Sequence, residues 1–123
     1  MKEETKAWLA KTHDDMAAAH VLFDAGLTDG ACFHSQQAAE KCLKALLEEQ
    51  GQHVPRTHDL DALIERISNF VAVSDKVREA ATFLSSFGVE VRYPGTDSDL
   101  EDARESLQMA NRIVNWITSY FGE

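Results

Sequence analysis

Apolar residues recur every three or four positions along most of the chain, the step that lines one face of an α-helix rather than the alternation of a strand. Leu9, Met16, Ala19 and Phe23 keep this step, with Trp8 and Leu22 on the flanks. A first helix is therefore predicted from about Glu3 to Ala25, ending at Gly26. Thr28 or Asp29 is placed to cap a second helix that runs to about Gln50, with Gly51 as its stop and Cys32, Ala39, Cys42, Leu43 and Leu46 as its apolar stripe. After a loop through Pro55, Thr57 is the expected cap of a short helix carrying Leu60, Leu63, Ile64 and Ile67. Ser74 opens another, with Val77, Ala80, Ala81 and Leu84, which fades near Gly88.

The last helix has the clearest pattern. Ser98 with Glu101 three residues on reads as a capping box, and Asp97, Asp99, Glu101 and Asp102 suit the positive end of the helix dipole. Leu100, Ala103, Leu107, Ala110, Val114, Ile117 and Phe121 form one row, and Met109, Ile113, Trp116 and Tyr120 a second beside it. Deep burial in a bundle and a face shared with a partner chain both explain so wide a stripe, and we expect the two together, in a homodimer. The fold class expected is all-α: an up-and-down bundle of about five helices, three long and two short.

Composition narrows the class without changing this picture. The chain of 123 residues is 44% hydrophobic and 27% charged, as expected for one globular domain over residues 1–123. Its net charge of −9 speaks against duplex DNA, whose phosphates need clustered Lys and Arg. The excess acid lies at the two ends: residues 1–50 carry −4, residues 51–95 only −1, and residues 96–123 carry −4. One small anion in one pocket is compatible with that distribution, because fields in clefts are set by nearby groups. The charged N-terminus is followed by no apolar stretch, and no apolar run approaches the roughly 20 residues that span a bilayer. No membrane association is expected, and the cytoplasm is the expected compartment. Cys32 and Cys42 sit in an Ala- and Leu-rich stretch and read as buried thiols rather than a disulfide or a zinc site.

Three polar constellations interrupt the apolar pattern. On the second helix, Gln37, Glu40 and Lys44 share one side, with His34 and Lys41 on an adjacent one. Glu40 and Lys44, four apart in the favourable order, make a surface ion pair on one reading. The polar run His34 to Gln37 points instead to a semi-buried network. In Pro55-Arg56-Thr57-His58-Asp59-Leu60, Asp59 suits a helix N-terminus, and His58 beside Arg56 could donate to an anion together with free backbone N–H groups. In Val91-Arg92-Tyr93-Pro94-Gly95, Pro94 and Gly95 make a turn. Arg92 and Tyr93 are there either linker residues or a phosphate- or base-contacting pair. His13 and His20 lack the Glu or His that would complete a metal set. We expect no metal site and no cofactor.

Taken together, Phe33-His34-Ser35-Gln36-Gln37-Ala38-Ala39-Glu40-Lys41-Cys42-Leu43-Lys44-Ala45-Leu46, then Thr57-His58-Asp59-Leu60, then Arg92-Tyr93-Pro94 resemble the HEPN (higher eukaryotes and prokaryotes nucleotide-binding) domain family over roughly residues 4–121. The resemblance implies a five-helix, mostly up-and-down bundle that tends to dimerise. It also implies, for prokaryotic members, frequent pairing with a minimal nucleotidyltransferase as a toxin–antitoxin module. Many HEPN toxins are metal-independent ribonucleases carrying Arg, four to six intervening residues, then His near the last helix. Here no Arg stands five to seven positions before His58, and the stretch from Arg92 to Leu100 holds no His. No catalytic residue is therefore assigned. The expectation is a non-catalytic module that binds a nucleotide or other phosphate-bearing ligand through Lys41, Lys44, Arg56, His58, Arg92 and Tyr93, supported by Gln37, Glu40 and Asp59. Its expected partner is a separately encoded minimal nucleotidyltransferase. The alternatives are a ribonuclease using His58 with Arg56 or Arg92, and a pure protein-interaction bundle.

Overall fold

A computed structural model of the chain describes residues 1–87 and 94–122. Among them run helices α1 (Glu3–Asp24), α2 (Thr28–Glu49), α3 (Leu60–Ile67), α4 (Asp75–Ser85) and α5 (Leu100–Tyr120), with no strand. The all-α class and the order of long and short helices are those read from the periodicity. None of these helices is long and apolar enough to cross a membrane.

Helix α2 is the hub. It packs against α1, α3, α4 and α5, and Ala31, Ala38, Ala39, Cys42, Leu43, Ala45, Leu46 and Leu47 are buried along it. Small side chains on much of its surface let several neighbours approach one helix. Gly30 serves the same end: a Cβ there would stand 2.9 Å from Leu22 Cδ1 of α1. Leu60, Leu63, Ile64 and Ile67 of α3, Val77, Ala81 and Leu84 of α4, and Ile113 and Ile117 of α5 complete one core cluster. Both cysteines are free and buried, and burial pushes the Cys42 thiol far up, so that it stays protonated.

Both apolar rows of α5 are largely covered by the chain's own helices. Ala103, Leu107, Ala110, Ile113, Val114 and Ile117 are buried, and Met109, Trp116 and Phe121 pack partly buried against the core. Only the ends stay open, at Leu100 and Tyr120. Burial within one chain thus accounts for most of the double stripe.

The caps differ from those the sequence suggests, each for a local reason. α3 begins two residues later than Thr57 implied, because Asp59 is its N-cap, with Oδ1 accepting from the N–H groups of Asp61 (3.0 Å) and Ala62 (3.3 Å). Thr57 Oγ1 instead accepts from the N–H of Asp59. α5 is opened by a capping box of Asp99 and Asp102, not Ser98 and Glu101. The backbone of Ser98 is held elsewhere: its N–H donates to Asp29 Oδ1 and its carbonyl accepts from Thr28 Oγ1, both at 2.7 Å. The two residues expected to cap α2 therefore tie the start of α5 to it, and Leu27, with no capping side chain, stands at the N-cap.

At the other end of the α1–α2 hairpin, Gly51 takes the left-handed conformation (φ 69°) that closes α2. Beside it, Glu49 Oε1 accepts from the backbone N–H of Lys2 and from Thr5 Oγ1, each at 3.0 Å. The Lys2 N–H above all, with help from Thr5 and the positive charges of the N-terminus and Lys2, holds the Glu49 carboxyl below the usual carboxylate range. A carboxyl depressed on folding stabilises the fold above its unfolded pKa and loses that contribution as pH falls through the folded one. Thermal denaturation from neutral pH down to about pH 3 should therefore show a smaller acid-induced drop in melting temperature for Glu49→Gln than for the parent. Parallel curves would remove Glu49 from the acid response.

Candidate functional site

The polar residues of α2 form a strip flanked by α1 on one side and the loop before α3 on the other. At 100° per residue, Gln36, Glu40, Lys44, Gln37, Lys41 and His34 succeed one another around that side of the helix. The strip is no solvated face: Gln36 is fully buried, and Glu40 and Lys44 are 3% and 6% exposed.

Two buried carboxylates organise it, each holding one lysine and one histidine. Glu40 Oε2 accepts from Lys44 Nζ at 3.0 Å, and its Oε1 lies 2.8 Å from His58 Nδ1. Asp15, on α1, takes Lys41 Nζ on Oδ2 at 2.5 Å and His34 Nδ1 on Oδ1 at 2.8 Å. Taking an ammonium and a carboxylate out of water costs several kcal/mol each, so at such burial they persist only as hydrogen-bonded pairs. Lys44 gains a further partner, with Nζ 5.7 Å from the centre of the Trp8 ring. Gln36 completes the frame. Its Nε2 donates to the carbonyl of His58 at 3.1 Å and its Oε1 accepts from Gln37 Nε2 at 2.8 Å, so α2 holds both the backbone and the ring of His58.

This geometry settles the chemistry of the imidazole. An ionised carboxylate only accepts hydrogen bonds, so Nδ1 of His58 carries the proton and Nε2 is left for another partner. The side chain of His58 is 55% exposed while the carboxylate behind it is buried. The result is an oriented ring that can accept a proton or hydrogen bond at Nε2 and, once protonated, donate to an anion. His34 is held in the same way by Asp15 and is half-buried, with the Phe33 ring edge-on at 5.1 Å.

Of the residues marked in the sequence, Gln37, Glu40, Lys44 and His58 come together in one network, and Lys41 joins Asp15 and His34 instead. The charges of Lys41 and Lys44 are each matched by a carboxylate inside the protein. Arg56 is exposed in the loop next to His58. Asp59 acts as a cap, and its carboxylate takes two of the N–H groups at the start of α3 that would otherwise face an anion. Arg92 and Tyr93 lie outside the described residues. Asp15, His34, Gln36 and Trp8 were not marked as site residues. Asp15 leaves a signal, since it keeps the step of Thr12, Met16 and Ala19, the buried side of α1, where an acid requires a partner. Among the described residues no His, Cys, Asp and Glu group could hold a metal ion, and His13 and His20 are exposed.

A family model described as the HEPN domain matches residues 5–120. The chain belongs to the HEPN family. Solved structures agree with it over nearly their whole length. The crystal structure of an archaeal HEPN homologue is 30% identical, with a TM-score of 0.81 and 98% of each chain covered. That of a protein from Thermus thermophilus is 27% identical, with a TM-score of 0.87, covering 96% of this chain and 98% of the other. A HEPN domain protein from Thermotoga maritima shares the fold at 20% identity, with a TM-score of 0.80 and 99% of each chain covered. No curated protein matches the chain. In this HEPN domain the buried Glu40–Lys44 pair should behave as a unit. Glu40→Gln alone, which strands the Lys44 ammonium, should lower stability by about 3–5 kcal/mol in urea denaturation. Glu40→Gln with Lys44→Met should recover most of that loss, and equal losses in the single and double variants would show the pair is not coupled.

Proposed function

We propose that this HEPN domain is a non-catalytic module that binds the phosphate of a nucleotide or similar ligand at the rim formed by Arg56 and His58. In this reading it works as a homodimer and as the companion of a separately encoded minimal nucleotidyltransferase, in a toxin–antitoxin-like pair. The observation that supports the phosphate site is the His58–Glu40 contact, which orients an exposed imidazole two residues along the loop from the exposed Arg56. Lys41 and Lys44, matched by buried carboxylates, serve to build the site rather than to touch the anion. Arg92 and Tyr93, outside the described residues, remain candidate contacts. The companion role rests on the family resemblance and on the missing Arg-to-His spacing of the ribonucleases.

Isothermal titration with tripolyphosphate and with ATP should show binding at neutral pH. His58→Gln and Arg56→Ala should each weaken it about ten- to hundredfold, the loss expected for a charged hydrogen bond. No heat with either ligand would sink the phosphate site.

One observation favours a second reading. A carboxylate-backed imidazole with Nε2 outward is also the arrangement of a general acid or base, which suits a ribonuclease acting through His58 with Arg56 or Arg92. Incubation of the purified protein with cellular RNA in EDTA separates the two. Cleavage that disappears in His58→Gln would establish the enzyme, and intact RNA leaves the binding module.

A further inference from the structure

A different feature lies where the turn between α1 and α2 meets the start of α5. Thr28 Oγ1 and Asp29 Oδ1 hold the backbone of Ser98, each at 2.7 Å, so the two segments form one continuous surface. Two large apolar side chains stand on it: Leu27 is 57% exposed and Leu100 49%. Neither exposure serves the fold. Leu27 occupies the N-cap of α2, where it leaves the first N–H groups without a side-chain partner that Ser or Asp would supply. Leu100 opens the apolar row of α5 whose later members are buried or packed against the core. At the same place Gly26, Leu27, Thr28, Asp29, Gly30 and Asp97 line a cleft of about 300 Å³. Ser98, next to Asp97, is buried, and its Oγ finds no hydrogen-bond partner among the described residues.

The charge around these leucines is of one sign. Residues 24–30 and 94–104 carry six carboxylates and a single guanidinium, that of Arg104, which pairs with Glu101. They hold more than half of the net charge of −9. Asp24 and Asp97 are exposed and make no ion pair among the described residues.

We infer that this surface docks a basic segment of another protein. Leu27 and Leu100 receive an apolar side chain of that segment, and the carboxylates around them pair with its Lys or Arg. The inference is independent of the phosphate site. Apolar contact supplies affinity, and charge supplies selection: an acidic rim speeds the approach of a cationic partner and repels an anionic one. A free small cation would satisfy the carboxylates but leave both leucines in water. A second copy of this chain would bring its own excess of acid. A surface already fixed by Thr28 and Asp29 also has little freedom left to lose on binding.

Fluorescence anisotropy with labelled peptides tests this. A short amphipathic Lys/Leu peptide should bind the protein more tightly than an all-Lys peptide of equal length, and its Glu/Leu counterpart should not bind. Leu27→Ser and Leu100→Ser should each weaken the Lys/Leu peptide about four- to tenfold, the loss of apolar cover for a half-exposed leucine. Both should leave the all-Lys peptide unchanged. Leu27→Ser also supplies the missing N-cap, so its melting temperature should not fall and unfolding cannot account for its weaker binding. Asp24→Asn with Asp97→Asn should weaken both cationic peptides and flatten their dependence on salt. Glu3→Gln with Glu4→Gln, at the start of α1, should change neither. Equal affinity for the two cationic peptides, or leucine variants without effect, would overturn the docking surface and leave only an unspecific field. An equal loss in the Glu3 and Glu4 variant would do the same. Displacement of the Lys/Leu peptide by equimolar spermidine would overturn it in favour of a small-cation site. A dimer in light scattering that either leucine variant turns into a monomer would assign the surface to a second copy and remove the basic partner.

Discussion

The structure turns on two carboxylates buried against its central helix. Glu40 lies on α2 itself and Asp15 on the neighbouring α1, and both are buried. Neither could stay ionised there alone, since desolvation would force protonation or expose the group. Lys44 and Lys41 provide the compensating charge from the same helix. This demand is one of register. Sliding α1 along α2 by one turn would part Asp15 from Lys41 and His34. The hydrophobic stripe alone is more tolerant, because apolar side chains accept many neighbours of similar volume.

The same pairs set what the surface can do. With their charge matched internally, Lys41 and Lys44 act as scaffold, and the groups they support project outward. His58 is the clearest case: Gln36 holds its carbonyl, Glu40 holds Nδ1, and the exposed side of the ring remains for a ligand. A loop histidine with freedom of rotation would lose entropy on binding that this one has already given up in folding. On the other side of the Glu40–Lys44 pair, the lysine covers Trp8.

Much of the fold was legible from periodicity. The steps of three and four gave the helices to within a residue or two at most ends, and the apolar positions of α3 and α4 are those in the core. The caps were less legible. Ser98 and Thr57 are as suitable by composition as Asp99 and Asp59, and the choice fell to contacts from distant residues. Thr28 and Asp29 reach the chain around Ser98 from α2. The site was half legible: a polar run inside an apolar helix signalled a network, and Glu40, Lys44 and His58 belong to it. Asp15 and Trp8 were missed because their partners lie on another helix, and spacing along one helix carries no information about what faces it.

By itself, then, the sequence determined the class, the helices and the family. Hydrophobic periodicity and local turn chemistry act between residues a few positions apart, and a family is recognised by order and spacing. Only the tertiary structure decided which charges are spent and which remain. Lys41 and Lys44 are candidate ligand contacts by sequence, and the fold pairs the first with Asp15 and the second, in a buried setting, with Glu40. His58 looked like one polar loop residue among several until Glu40 and Gln36 were seen to orient it. Those outcomes depend on burial and on separations of about 3 Å between groups 18 to 26 residues apart, and such proximity is created only when the helices pack.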